Sequence, residues 1–339
     1  MLVIQQSDGY IVVKNKSDFN EIAYTMKLSI ITINYNNASG LRKTLASVAS
    51  QTYRDIEHII IDGGSTDGSL DVIKEYESVH SLNVHSFNVT WLSEPDNGIY
   101  NAMNKGIEIA LGRRIVNTDH TTFSNSLNAN RSTLNESLSD YIQILNSGDI
   151  LAAPDVTERM VNALHSFTRS TLNDKIDVPI LYGNMIKKDY TTGKILGKSR
   201  EVEYSLRNYY SGTMNHDCCY FRRDLFETYG LYDENLKIVS DWKWFLQTIG
   251  LGHVQPVYVD IDVTIFDASG ISEMNLSLRN QERRQVLEEL LPPAILADYD
   301  AHAFEMEQIN RLRKYHLYWF VYLIERVLFK LEKWGVLRG

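Results

Sequence analysis

Two β-branched apolar runs, KLSIITI at 27–33 and IEHIIID at 56–62, constrain the fold of this chain more than any other feature. The segment between them sets Leu41, Leu45, Val48 and Ala49 at helical spacing, so the three pieces read as strand, helix, strand. A strand returned to its sheet by a helical crossover runs parallel to its predecessor, and strands this apolar are covered on both faces. The pattern then repeats. SLDVIKEYESV reads as helix, VTWLSEP as strand, GIYNAMNKGIEIALG as helix with Gly112 as its C-cap, and YIQILNSGD as the next strand. The expected fold class is α/β, a mostly parallel mixed sheet flanked by helices on both faces.

After residue 150 the alternation loosens. PILYGNMIKKDYTTGKILG reads as a hairpin around TTGK, HDCCYFRRDLF as a strand entering a helix, and VSDWKWFLQTIG as a further helix. A chain of 339 residues that is 44% hydrophobic has room for a sizeable core and a second lobe. The expected division is an N-terminal extension at 1–26 and a main domain at 27–265, followed by a loop and amphipathic helical tail at 266–339. Within the main domain, 27–150 forms one half and 151–265 the other, and the Ser-, Thr- and Asn-rich stretch 113–140 reads as an inserted surface loop.

Several function classes are argued against at once. A net charge of -9 gives no basic surface for nucleic acid. Cys218 and Cys219 are adjacent, which suits neither a disulfide between them nor a CxxC zinc pair, and they read as buried strand residues. The N-terminal residues lack an uncharged apolar core and a small-residue cleavage site, and no stretch reaches the ~18–20 apolar residues of a membrane span, so the expected location is the cytoplasm. The tail 309–339 combines Trp, Tyr, Phe and Leu with a basic set, Arg311, Arg313, Lys314, Arg326, Lys330, Lys333 and Arg338. Two readings of it stand: an interfacial helix making peripheral contact at the inner face of a membrane, or a helix packed on the domain or in a homo-oligomer.

In open α/β sheets ligands bind beyond the carboxyl ends of the strands, and those ends are polar here: NYNN (34–37), DGGSTDG (62–68), EPDNG (94–98) and NSGD (146–149). Asp62 ends an Ile triplet and precedes two glycines, a place where a carboxylate accepts either from a planar N–H donor or from its own turn backbone. No GxGxxG follows the first strand and no GxxxxGK[ST] occurs, so the usual dinucleotide and P-loop readings have no support.

Four blocks in order, LSIITINYNNASGLRKTLASVASQTYRDIEHIIIDGGSTDGSLDVI, SEPDNGIYNAMNKGIEIALG, LNSGD and SDWKWFL, resemble glycosyltransferase family 2 over roughly residues 27–250. The SEPDNGIYNAMNKG form is similar to members from bacterial capsule, exopolysaccharide and O-antigen gene clusters. The resemblance implies a GT-A fold, a Rossmann-like sheet, and a nucleotide-sugar donor, expected to be a UDP-sugar, with a saccharide or lipid-linked saccharide as acceptor. It implies that Ile33 and Tyr35 lie along the base, that Asp62 reads the uracil N–H, and that Asp96 lines the nucleotide pocket with Ser147 and Gly148 near it. Asn104 and Lys105 stand as pocket wall or as exposed polar residues.

Where the family usually carries two or three aspartates, LNSGD has Asn146 and Gly148, and Asp149 alone keeps the position that holds Mn2+ or Mg2+ under the donor diphosphate. Such cations commonly bind through one or two carboxylates plus phosphate and water, so one carboxylate can suffice. Asp241 matches the general base that deprotonates the acceptor hydroxyl, with Ser240 as the expected N-cap of its helix. His216 is read as facing the cation or acceptor, or as a structural histidine. Residues 268–284 resemble the mobile loop after the core, from which Arg279 or Arg283 would reach the diphosphate. The expected reaction is an inverting glycosyl transfer. Its rivals are a catalytically silent nucleotide-sugar-binding protein, suggested by the thinned NSGD, and a sugar nucleotidyltransferase, whose Gly-rich, Arg-containing loop NYNNASG does not match.

Overall fold

The first elements form a sheet of their own: β1 (Val3–Ser7), β2 (Tyr10–Lys14) and β3 (Glu21–Tyr24) pair antiparallel, in the order β1-β2-β3. Every residue of β4 (Leu28–Asn34) is buried, as a strand covered on both faces requires. The chain then alternates through α1 (Ala38–Ala49), β5 (Ile56–Asp62), α2 (Ser69–Ser81), β6 (Asn88–Ser93) and α3 (Ile99–Ala110). Gly112 at φ 66° ends the last of these helices, where the left-handed conformation suits a residue without a Cβ. The computed structural model describes residues 3–7, 10–14, 21–24, 26–81, 88–116, 122–124, 138–169, 178–190, 192–201, 205–267 and 275–333.

In place of an irregular loop at 113–140, β7 (Arg114–Val116) and β8 (Thr122–Ser124) pair antiparallel, while 117–121 and 125–137 lie outside the described residues. The sheet continues with β9 (Tyr141–Asn146), β10 (Ile150–Leu151), β11 (Ile180–Lys188), β12 (Ile195–Lys198), β13 (Cys219–Arg222) and β14 (Pro256–Asp267). Its order is β10-β14-β11-β13-β9-β4-β5-β6, with β12 paired to β11. The half made by β9, β4, β5 and β6 is wholly parallel, and β13 enters antiparallel beside β9. Strands β11 and β12 form the expected hairpin around TTGK. Cys218 and Cys219 are free and buried.

Contacts divide the chain into Met1–Glu282 and Arg283–Gly339. The expected loop over 268–284 is corrected in part: 268–274 lie outside the described residues, but Leu276–Leu290 is a helix. Its buried side chains, Glu282, Val286 and Leu287, recur at i, i+4 and i+5, the spacing of one helical face. The second unit continues with helices Pro293–Lys314 and Tyr318–Lys333.

A histidine lies wholly inside the parallel half. His58 has no exposed surface, its Nε2 is 2.9 Å from Thr32 Oγ1, and its Nδ1 is 2.9 Å from Tyr76 Oη. Burial pushes its pKa down to about 3, with His80 adding to the effect. The native state thus binds this proton less readily than the unfolded chain, whose imidazole titrates near ~6.5. The stabilisation from a neutral His58 is complete above that value and is lost as pH falls toward 3. In urea unfolding across this window, the stability difference between wild type and His58→Gln should shrink by up to about 1.4 kcal/mol per pH unit. A constant difference would show that the histidine does not titrate on unfolding.

Candidate functional site

The parallel strands end flush. Their register pairs Asn34 with Asp62 and Asp62 with Ser93, so polar strand ends meet at one level. Asp62 is fully buried and accepts four hydrogen bonds. Asn34 Nδ2 (2.8 Å) and Ser65 Oγ (2.6 Å) reach its Oδ1, and Ser65 N (3.0 Å) and Ser93 Oγ (2.7 Å) reach its Oδ2. A carboxylate has about four acceptor sites. Asp62 therefore has none left for a base N–H, and the role expected for it is corrected to that of a clamp on three strand ends.

The neighbouring carboxylate is differently placed. A Cβ built on Gly63 would lie 2.4 Å from Asp96 Oδ2 and 3.1 Å from Tyr35 Cδ2, so Asp96 occupies the space that a side chain at position 63 would need. Its other oxygen accepts from Gly98 N at 3.0 Å. Tyr35 is 65% exposed, whereas Ile33 is buried and its carbonyl accepts from Ser147 N, which makes Ile33 a strand residue rather than an open pocket wall. The EPDNG turn is held from below. Buried Lys105 donates to Pro95 O and pairs with Glu94, both at 3.0 Å, so it is neither an exposed residue nor an available cation.

The NSGD turn hangs on α1. Asn37 Oδ1 caps that helix at Gly40 N, and its Nδ2 donates to Ser147 O at 2.9 Å. Thr44 Oγ1 accepts from Gly148 N and donates to Asp149 O. Gly148 sits at φ 111°, a backbone state that favours glycine, and it turns Asp149 inward to 3% exposure. Asn146 Nδ2 lies 3.3 Å from Asp149 Oδ2.

Asp241 opens the helix Ser240–Phe245, which is supported from behind by Trp242, Trp244 and Phe245, the last two packing against Phe221. Its carboxylate takes Tyr100 Oη at 2.9 Å on one oxygen and His216 Nδ1 at 3.2 Å on the other, and it keeps 19% of its side chain exposed. Burial pushes the Asp241 pKa up. The hydrogen bond and charge of His216, with the Tyr100 hydroxyl, outweigh it and hold the carboxyl below its ordinary range. Burial likewise disfavours the His216 imidazolium, but Asp241, Asp217 and Asp149 raise its pKa above the ordinary value. Burial, then Asp241, drives the Tyr100 phenol well up, so it stays a donor. His216 is aimed by its neighbour: Asp217 is buried, its Oδ2 accepts from Thr264 Oγ1 at 2.6 Å and its carbonyl from Gln143 Nε2 at 2.9 Å.

His216 Nε2 is buried without a hydrogen-bond partner. The Asp149 carboxylate lies close enough to favour charge on the imidazole, and an oxygen and an imidazole nitrogen in an anionic surround are ligand types that suit Mn2+ or Mg2+. Among the described residues no group of three His, Cys, Asp or Glu forms a complete cage.

Other expectations change with the geometry. Asn104 is not in the pocket wall. It is 4% exposed, donates from Nδ2 to Tyr232 O and Glu234 Oε1, and accepts from Tyr232 N, clamping α3 to the segment before Asp241. Ser240 is not the N-cap: Val239 holds that position without a side-chain bond, and the Glu282 carboxylate accepts from Lys237 N and Ile238 N instead. Arg279 and Arg283 lie on the helix Leu276–Leu290, and Arg279 Nε is buried with no partner. Tyr100 and Glu282 carried no local signal in the sequence, since their partners are 138–141 and 44–45 residues away.

The description Glycosyl transferase family 2 belongs to the family model that matches residues 29–121. Over 247 residues the chain is 29% identical to an uncharacterized glycosyltransferase of Mycobacterium tuberculosis, covering 72% of this chain and 76% of the relative. The mannosyltransferase PcManGT from Pyrobaculum calidifontis, solved with GDP-Man and Mn2+, matches at TM-score 0.52 and 16% identity over 83% of this chain and 70% of that one. TarS of S. aureus matches at TM-score 0.47 and 14% identity over 78% of this chain, which spans 42% of the TarS chain. The architecture is that of the GT-A glycosyltransferases.

Asn104 provides a direct check on this account. Asn104→Ala leaves buried Tyr232 backbone groups unpaired and should destabilise the fold by about 1–3 kcal/mol in chemical denaturation. Unchanged stability with a weakened nucleotide affinity would restore Asn104 to the pocket wall.

Proposed function

Taking as premise that the chain is a glycosyltransferase, matched to family 2 over residues 29–121, we propose that it transfers a sugar with inversion from a nucleoside-diphosphate sugar to a hydroxyl of a saccharide or lipid-linked saccharide. The observation that carries this reading is Asp241, a partly exposed carboxylate held ionised between Tyr100 and His216, with the Asp149 turn near the same imidazole. Tyr100, His216 and the Trp242 backbone N–H engage three of its about four acceptor sites, which leaves one for a substrate O–H.

Asp241 would take the acceptor proton as the acceptor oxygen bonds to the anomeric carbon and the bond from that carbon to the diphosphate oxygen breaks. A single in-line displacement inverts the configuration and needs no glycosyl-enzyme intermediate. Tyr100 and His216 orient the base. Asp149 and His216 Nε2 would hold the Mn2+ or Mg2+, with donor oxygens and water completing the set; when bound, that ion supplies charge neutralisation at the leaving diphosphate. Ser147 and Gly148 would line the diphosphate side through their fixed turn, and Arg279 would face it from the helix before Glu282.

For the base, the reading moves from Asp62 to Asp96. Asp96 Oδ2 lies where a residue-63 side chain would point, beside exposed Tyr35, and can accept a ring N–H while the tyrosine offers a stacking face. Uracil is the expected base. Guanine also presents a ring N–H, and the Pyrobaculum protein, which shares the fold, was crystallised with GDP-Man. A polysaccharide of the bacterial surface is the expected product class, as the EPDNG form of the second block suggests.

A thermal-shift screen of UDP-, GDP- and dTDP-sugars with and without Mn2+ should give its largest shift with a UDP-sugar plus Mn2+. Asp96→Asn should reduce the preference among bases with little change in stability. Asp241→Asn should lower transfer by about 10²–10⁴-fold while leaving the donor-induced shift in place. A donor that binds without turnover, and an Asp241→Asn variant indistinguishable from wild type, would favour a silent binding protein.

A further inference from the structure

The helix Tyr318–Lys333 has no buried residue. Five of its apolar side chains nevertheless share one face, with Val321 and Phe329 off it: Phe320, Leu323, Ile324, Val327 and Leu328 stand at i, i+3, i+4, i+7 and i+8 and together line a shallow apolar surface. Phe320, Ile324 and Val327 are 57%, 59% and 56% exposed. Arg326, Lys330 and Lys333 recur at i, i+4 and i+7 on another face, and the preceding helix ends in Arg311, Arg313 and Lys314. Trp319 and three tyrosines, Tyr315, Tyr318 and Tyr322, lie exposed, with Arg313 over the Tyr318 ring at 4.9 Å and Arg326 over the Tyr322 ring at 5.8 Å.

Charge separates the candidate occupants. Residues 309–339 hold seven Lys and Arg against two Glu, in a chain whose totals are 34 basic and 43 acidic residues. A second copy of this helix would bring like-charged flanks together, whereas an anionic surface meets them with opposite sign. No described helix is long and apolar enough to cross a membrane. A short helix with an apolar face, a cationic face and aromatic residues with polar tips suits burial along the headgroup boundary instead.

We propose that Tyr318–Lys333 docks in the plane of a bilayer containing anionic lipid, inserting Phe320, Leu323, Ile324, Val327 and Leu328 while Arg326, Lys330 and Lys333 meet the headgroups. The inference stands on this helix and is independent of the transfer reaction. It brings the chain to the surface on which a lipid-linked acceptor would be carried.

The test is flotation of the full chain, without donor or acceptor, on vesicles of phosphatidylcholine alone or mixed with phosphatidylglycerol. Binding is expected on the mixed vesicles and should weaken as salt is raised. Replacing Arg326, Lys330 and Lys333 by Gln should lower affinity by about a hundredfold, given about fivefold per cation at an anionic surface. The Phe320→Ser, Ile324→Ser and Val327→Ser combination should abolish binding, and circular dichroism and thermal unfolding should show a folded core in both variants. A folded wild type that ignores the mixed vesicles, or binding equal in wild type and both variants, would overturn the proposal. So would a lipid-free dimer, seen by sedimentation, that the serine variant dissociates. The readout is binding alone, so its failure leaves the transferase reading intact, and the reverse holds as well.

Discussion

A buried carboxylate sets the geometry of the crevice. Burying Asp62 without partners would cost far more than a strand end can recover, so the fold is acceptable only with its oxygens fully hydrogen-bonded. The donors come from Asn34 at the end of β4, Ser65 in the turn after β5, and Ser93 at the end of β6. This requirement holds three parallel strands to a common end point. The residues that follow, Tyr35, Gly63 and Asp96, consequently emerge together, and the absence of a side chain at Gly63 leaves the space that Asp96 fills.

The opposite wall is tied to the first by a single helix. Along α3, Tyr100 reaches Asp241, Asn104 reaches Tyr232, and Lys105 reaches back to Glu94 and the Pro95 carbonyl. Tyr100 and Asn104 are four residues apart and share a face, while Lys105 lies a further 100° around the helix, which is why one element can serve both sides. The same helix therefore fixes the turn bearing Asp96 and the carboxylate at Asp241. His216 joins this arrangement through Asp217, whose buried contacts with Thr264 and Gln143 leave the imidazole little freedom. Three carboxylates, on Asp241, Asp217 and Asp149, then favour positive charge at that imidazole, by protonation or by a bound cation beside it.

Periodicity carried the α/β architecture because the burial of β4, β5 and β9 on both faces leaves its mark on nearly every residue of LSIITI, IEHIIID and YIQIL. The polar strand ends were equally plain, since the position of a ligand crevice follows from strand direction. The helix at Leu276–Leu290 was less legible: its three buried positions are few among charged residues, and the segment looked like loop. The stretch around Arg114–Val116 and Thr122–Ser124 is too short for alternation to register.

Local pattern, then, determined the element types, the parallel half of the sheet and the set of polar residues from which a site is built. Tertiary structure alone decided their employment: Asp62 became a saturated clamp, Asp96 an available acceptor, Asn104 and Lys105 internal fasteners, and Tyr100 a partner of Asp241. The reason is that a side chain's function depends on which lone pairs and protons remain after its contacts are made. Contacts from Asn34 and Ser93 to Asp62, from Tyr100 to Asp241 and from Asn104 to Tyr232 link residues 28 to 141 positions apart through strand register and helix crossover, which no local window contains.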